Sequence, residues 1–383
     1  MGNDSRPRVL HLRVVAGTGG GPEKTILNSP RFIKEEGIDA SVAYLCSRRD
    51  PIGGLLRDRA IEAECPFHLL EDRGPLDVTL IFRIAKLCRK LGVDIIQAHD
   101  YKSNVLACCV RRLHPSSLVT MLHGWTDMSG RMPLYKRIDQ FFLRFFETLI
   151  CVSRDLVDEC RRLRIPDERL HLVHNAIDVE HFQRRMDTST AKGAIQARPN
   201  RFLIGSVGRL SEEKGFDGLI RAISQLQQQG LPLDLWIAGE GPEREKLASQ
   251  IASCAEPGSM RLLGQLKDPI PFYQAMDLFA LNSIREGLPN VLLEAMAMET
   301  PALATRTGGV ADLIENGRTG YLIEPSNSEQ LLESLRKATL NPEAGTAMAS
   351  RARSRMVEDF GFGPRMRKIA AIYRKTLEKR GGW

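Results

Sequence analysis

The sequence predicts an α/β protein made of two doubly wound parallel sheets in tandem. Three observations carry this prediction. Short, continuous apolar runs alternate with amphipathic stretches along most of the chain, and strands covered on both faces lose the in–out alternation of a half-exposed sheet. The alternation lapses at about residues 182–200 and then restarts, which gives two such units. The 383 residues suffice for two or three domains, at roughly 100–200 residues each.

The elements follow in order. Arg8–Val15 reads as a strand, Ala16–Pro22 as a glycine loop, Glu23–Glu36 as a helix and Ile38–Leu45 as the next strand. Gly19, Gly20 and Gly21 permit close backbone approach to a ligand, but they do not form the G-x-G-x-x-G fingerprint of dinucleotide binding. Val93–Ala98, Leu118–Leu122 and Leu149–Val152 are further buried strands. His99 and Asp100 end the first of these, either to contact an acceptor or simply to close the loop; His123 ends the second, while His174 and Asn175 read as structural. Phe182–Asn200 is polar and reads as a linker. The strand pattern resumes at Phe202–Val207, followed by a helix with Phe216, Leu219, Ile220, Ile223 and Leu226 on one face. Leu233–Ala238, Arg261–Leu263, Leu278–Leu281, Ala302–Thr305 and Tyr321–Ile323 are the later strands, and Asn341–Trp383 is helical and basic. The expected domains are 1–182 and 201–362, joined by a linker at 183–200, with a helix at 363–383 returning to the first domain. Ligands of such sheets bind beyond the carboxyl ends of the strands, so a cleft between facing domains is the expected site.

Composition narrows the partners. A net charge of +7, from 54 basic and 47 acidic residues, favours anionic partners. No basic run stands out and aromatics are 6% of the chain, so nucleic acid is not expected. Eight cysteines without a C-x-x-C pair read as reduced thiols of a cytoplasmic protein, with no metal spacing. No stretch approaches the roughly 18 apolar residues needed to span a bilayer. The N-terminus lacks the apolar run of a secretory signal, and Arg6 stands where a myristoylation motif wants Ser or Thr. In 131–148, Leu134, Ile138, Phe141 and Phe145 share a helical face, widened by Tyr135, Phe142 and Phe146. Arg131, Lys136, Arg137 and Arg144 lie elsewhere around the helix. The simplest reading is a core helix covering the first sheet. The alternative is a basic aromatic helix lying on an anionic membrane.

The strongest chemistry is in the second half. IGSVGRLSEEKGFDGLI sets Arg209 and Lys214 just after a strand, a pair of cations suited to a diphosphate. Further on, Glu286 lies in a loop after a strand, Pro289 opens a helix expected over Pro289–Met298, and Glu294 lies on that helix. The helix start offers amides and a positive dipole end to phosphate. Carboxylates for hydroxyl groups and donors for phosphate are what a nucleoside diphosphate sugar requires.

Together these segments resemble the retaining glycosyltransferases of family 4, of the two-Rossmann-domain (GT-B) type. Glu286 and Glu294 match the EX7E motif of that family, and VGRLSEEKG matches its VGRLxxxKG pattern. AGEGPEREKL, LGQLKD, HNAIDVEHF and TGGVADLIENGRTGYLIEP are similar to family segments in the family order. The resemblance implies a transferase that moves a hexose from a uridine or guanosine diphosphate sugar, without a metal or other cofactor. Arg209 and Lys214 would bind the diphosphate, Glu286 the hexose and Glu294 the ribose. The backbone at Gly287, Leu288, Pro289 and Asn290 would line the pocket, although Pro289 has no N–H. Leu288 replaces the commoner aromatic. The loop Gln265–Asp268, with Leu266, would approach the base. Gly20 and Gly21 would abut the diphosphate and acceptor, and His123 would touch the hexose. The two glutamates are then ligands of the donor sugar, unlike the acid and nucleophile of a glycosidase. A glycan or lipid-linked acceptor, surface polysaccharide synthesis and peripheral contact with the inner membrane face are also implied. Two rivals share the architecture: a sugar-nucleotide 2-epimerase and a non-catalytic nucleotide-sugar binder.

Overall fold

The computed structural model describes residues 6–15, 21–48, 50, 52–74, 77–123 and 132–379. Among these, the chain forms two compact units, one within Met1–Asn175 and Phe362–Trp383, the other Ala176–Gly361. Each is a parallel sheet with interleaved helices, the two-Rossmann-domain architecture.

In the first unit the order is β1 (Arg8–Val14), α1 (Gly21–Ile33), β2 (Asp39–Cys46), α2 (Ile52–Glu62), β3 (Phe67–Glu71), α3 (Thr79–Leu91) and β4 (Ile95–Ala98). Then come α4 (Tyr101–Val110), β5 (Ser117–Leu122), α5 (Met132–Phe142), β6 (Thr148–Cys151), α6 (Arg154–Arg162) and β7 (Leu170–Leu172). The strands lie in the order β3-β2-β1-β4-β5-β6-β7, so the order reverses between β1 and β4. The central strands β4, β5 and β6 are buried throughout, as their apolar runs require. The edge strands β3 and β7 are half-buried at every position. That is why they carry no continuous apolar run and escape a sequence reading.

The second unit contains α7 (Thr188–Ala194), β8 (Phe202–Val207), α8 (Phe216–Gln228), β9 (Leu233–Ala238), α9 (Arg244–Ala252), β10 (Met260–Gly264) and α10 (Ile270–Ala275). It continues with β11 (Leu278–Leu281), α11 (Asn290–Ala297), β12 (Ala302–Thr305), α12 (Val310–Leu313), β13 (Tyr321–Ile323), α13 (Ser328–Leu340) and α14 (Pro342–Asp359). Its order, β10-β9-β8-β11-β12-β13, reverses between β8 and β11. Leu219, Ile220, Ile223 and Leu226 of α8 are fully buried against Ile204, Leu235 and Ile237 of the sheet. Each such side chain contributes about 1.5–3 kcal/mol by leaving water.

Residues 183–200 differ from the expected linker. They carry α7, which packs against α10. Asp187 caps α7 by accepting from Thr190 N, and Lys192 pairs with Asp277 at 2.5 Å. The helix has seven residues and buries little beyond Ala191 and Lys192, so it shows no apolar period. The units divide at Asn175 and Gly361 rather than 182 and 362. The last helix, α15 (Phe362–Glu378), belongs to the first unit. Its buried face, with Phe362, Met366, Ile369, Tyr373 and Leu377, recurs at helical spacing, and Phe362 stacks on Phe32 of α1 at 4.6 Å.

Helix α5 also differs from the core helix read from its stripe. Leu134, Ile138 and Phe141, and Phe145 in the short 3-10 turn that follows α5, are 57, 37, 54 and 51% exposed. The packed side is the adjacent one, which includes the widening residue Tyr135: Asp139 is buried and accepts from Asn104 Nδ2 at 2.6 Å, and Tyr135 stacks on Tyr101 of α4. An amphipathic pattern gives the existence of a face, not the side it turns to the protein. Among the described residues no helix is long and apolar enough to cross a membrane.

Candidate functional site

The second unit's reversal point brings together the loops after β8 and β11. Gly215 ends the first loop with φ +62°, and a Cβ there would sit 2.2 Å from Asn282 O. Only glycine combines that backbone with that approach. Asn282 Nδ2 donates to Gly215 O at 2.9 Å and Ile284 N donates to Glu213 O at 2.7 Å, so the loops are stitched together. Gly308 supports the second loop from beneath: its φ is +52°, and a Cβ would lie 2.0 Å from Glu286 O. Gly309 N donates to Gly287 O at 2.6 Å.

These constraints set Lys214 against Glu286. Lys214 Nζ is 2.7 Å from Glu286 Oε1, which also accepts from Ser283 Oγ at 2.6 Å. The Glu286 side chain is 6% exposed and that of Lys214 19%. The sequence offers these two as separate ligands, whereas the structure makes them partners. Arg209 is exposed and forms no ion pair among the described residues. Ser283 and Asn282 were not singled out from sequence, though Ser283 stands three residues before Glu286 in the same loop.

Helix α11 starts four residues after Glu286. Pro289 is its N-cap rather than its first residue: with ψ 115° it is outside the helix, and its carbonyl accepts from Leu292 N and Leu293 N. Gly287, Leu288 and Asn290 flank this start, with Leu288 5% exposed. Glu294, one turn in, is 2% exposed and accepts from Tyr273 OH at 2.8 Å. Burial and the carboxylate push the Tyr273 phenol well above its ordinary pKa, so it stays a donor. Glu294 is thus deeper than Glu286, with Oε2 engaged by protein. Leu266 is half-buried in the loop after β10, whose end is held by Gly239 N donating to Gly264 O at 2.8 Å.

In the first unit, Gly20 lies outside the described residues and Gly21 is the first residue of α1. Asp100 is the N-cap of α4, accepting from Lys102 N and Ser103 N, and it also accepts from Val14 N at 2.8 Å; it closes the loop. His174 Nδ1 bonds Val152 O at 2.9 Å, a structural contact. His123 follows β5, with Nε2 3.0 Å from His99 Nδ1. Burial, then the charges of Arg13 and Arg365, push its pKa well below the usual range. His123 is therefore neutral near pH 7 and can take part in hydrogen bonds, not ion pairs.

Comparison with known proteins covers both units. A family described as "Glycosyltransferase Family 4" matches residues 19–181, and one described as "Glycosyl transferases group 1" matches residues 187–355. The chain is 23% identical over 379 residues to an Escherichia coli UDP-Gal:alpha-D-GlcNAc-diphosphoundecaprenol alpha-1,3-galactosyltransferase, covering 96% of this chain and 97% of the relative. It is 25% identical over 304 residues, 78% of each chain, to the N-acetyl-alpha-D-glucosaminyl L-malate synthase of Bacillus anthracis. In fold it is similar to Anabaena HepE in complex with UDP-glucose, with TM-score 0.83, 20% identity, and 96% of this chain and 99% of that one covered.

Proposed function

Because this chain belongs to the family 4 glycosyltransferases of the two-Rossmann-domain type, we propose that it moves a hexose from a nucleoside diphosphate sugar to a glycan or lipid-linked acceptor with retention of configuration. It is a glycosyltransferase of polysaccharide or glycolipid biosynthesis. The observation that carries the finer reading is the Lys214–Glu286 pair at the β8/β11 reversal, just before the start of α11.

In this reading Lys214 and Arg209 neutralise the diphosphate as it leaves, aided by the positive end of α11. Glu286 accepts from hexose hydroxyls, and Lys214 orients it until phosphate shares that cation. Glu294, held by Tyr273, serves the ribose, and the loop at Leu266 serves the base. His123 serves the hexose. The bond from C1 to the phosphate oxygen breaks, the acceptor oxygen bonds C1 on the same face, and its proton passes to the leaving phosphate. Two cations and a helix end do the work of a metal. The test is incubation with UDP- and GDP-hexoses in EDTA, with and without a lipid-diphosphate or glycan acceptor. Acceptor-dependent release of nucleoside diphosphate, with the anomeric configuration kept, is expected. An epimerised donor formed without acceptor would identify the 2-epimerase, and no turnover of any donor would leave only a binder.

The exposed face of α5 adds a membrane contact to this reading. Four apolar side chains face outward, with Arg137 and Arg144 exposed beside them, a composition suited to an anionic bilayer. A buried phenylalanine contributes about 1.5–3 kcal/mol. Phe141→Ser/Phe145→Ser is therefore expected to lower flotation with anionic vesicles at least about tenfold. Unchanged flotation would remove α5 as the contact.

A further inference from the structure

Three histidines from neighbouring strands of the first unit form a hydrogen-bonded row. His11 lies in β1, His99 follows β4 and His123 follows β5. His11 Nδ1 is 3.0 Å from His99 Nε2, and His99 Nδ1 is 3.0 Å from His123 Nε2. The ring planes differ by 23° and 21°, with centroids 5.2 and 5.3 Å apart. With nitrogens in hydrogen-bond contact, that spacing is edge-to-edge: the rings are bonded in their planes, not stacked.

A neutral imidazole has one N–H and one bare nitrogen. Burial holds all three rings neutral, with Arg13 and Arg365 the charged groups facing them: His11 is lowered to about 3, and His99 and His123 fall well below the usual range. The row then has two possible polarities. Every ring carries its proton on Nδ1, or every ring carries it on Nε2.

Gln97 selects one. The Tyr373 hydroxyl, on α15, donates to Gln97 Oε1. Burial raises the pKa of this phenol, so the hydroxyl keeps its proton. With Oε1 occupied, Gln97 turns Nε2 toward His99 Nε2 at 3.4 Å and Met121 Sδ at 3.9 Å. An amide NH2 only donates, so His99 Nε2 is the bare, accepting nitrogen. His99 Nδ1 then carries the proton and donates to His123 Nε2. At the far end, His11 Nε2 has no hydrogen-bond partner among the described residues, so no contact there opposes this polarity. The void beside these groups is about 10 Å³, room for at most a single water, so bulk solvent does not compete.

We infer that Tyr373, Gln97 and His99 are positioning residues that hold His123 in the Nδ1–H tautomer, as a fixed hydrogen-bond donor to a sugar oxygen. His123 Nδ1 is buried and has no partner among the described residues. The last helix thereby does more than pack, because its Tyr373 sets the polarity of the row. The tautomer rests on the geometry of the row together with the burial that keeps its rings neutral; its kinetic consequence rests on the proposed contact of His123 with the hexose.

The experiment is nitrogen NMR of the full chain labelled with 15N-histidine, at pH 8.5, with the His123 signals assigned by His123→Gln. The chain has eight histidines, which keeps the spectrum tractable. In the unaltered protein His123 Nδ1 is expected to be protonated and Nε2 bare; the reverse would overturn the inference without any variant. With its carboxyl ionised, Gln97→Glu offers His99 only an acceptor, so the proton of His123 is expected to move to Nε2. An unmoved proton there would also overturn it. Tyr373→Phe is expected to mix the two tautomers. In Gln97→Glu, kcat/KM for the donor sugar is expected to fall about tenfold, the loss of one hydrogen bond. A moved proton with unchanged kcat/KM would uphold the tautomer and refute the contact of His123 with sugar.

Discussion

Lys214→Ala is expected to lower kcat/KM for the donor sugar at least about 100-fold, the usual cost of removing one group that stabilises transition-state charge. It is also expected to destabilise the second unit, because Glu286, with its side chain 6% exposed, loses its cation and keeps Ser283. That cost is about 2 kcal/mol, below that of a fully buried pair because Lys214 is partly solvated. Glu286→Ala should lose activity to a similar degree. The double variant Lys214→Ala/Glu286→Ala should lose little more activity than either single one, and it should be more stable than Lys214→Ala, since no orphaned carboxylate remains. Steady-state kinetics and urea unfolding of the three variants measure this. Additive activity losses, or a double variant less stable than Lys214→Ala, would show that the pair is not one unit.

Gly308→Ala should inactivate the enzyme without touching a charged group. The methyl would fall 2.0 Å from the Glu286 carbonyl, in a left-handed backbone. Backbone cannot yield as a side-chain tip can, so the Glu286–Gly287 segment must move. A displacement of about 1 Å at a reacting site can cost about 100-fold in rate, and the strained conformation adds roughly 1 kcal/mol of destabilisation. The expected result is activity lowered about 100-fold in a protein that remains folded by circular dichroism. Full activity would mean that Gly308 does not set the position of Glu286.

Much of this was legible in the sequence, for a physical reason. Central parallel strands are buried on both faces, so β4, β5, β8 and β9 announce themselves as apolar runs. The edge strands β3 and β7 are half-buried and do not. The stripe on α5 was visible, yet periodicity is indifferent to which side meets protein, and Asp139 and Tyr135 turned the stripe outward. The short α7 buries too little to show a period. In the site, Arg209, Lys214, Glu286 and Glu294 were found as separate residues in family-like segments. Their partnerships were not, because Lys214 meets Glu286 across 72 residues and Tyr273 meets Glu294 across 21. The histidine row was equally hidden. His11, Gln97 and Tyr373 look like ordinary residues of two strands and a helix until β1, β4 and α15 are placed together.

In the proposed function, the second unit binds the diphosphate of a nucleotide sugar through Lys214 and Arg209. Calorimetric titration of UDP and GDP into the unaltered protein, Lys214→Ala and Arg209→Ala tests it most directly. Saturable binding of at least one nucleotide is expected in the unaltered protein, weakened at least about tenfold in each variant, as loss of one charge-assisted contact requires. Undiminished binding in both variants, or no binding of either nucleotide to the unaltered protein, would contradict it.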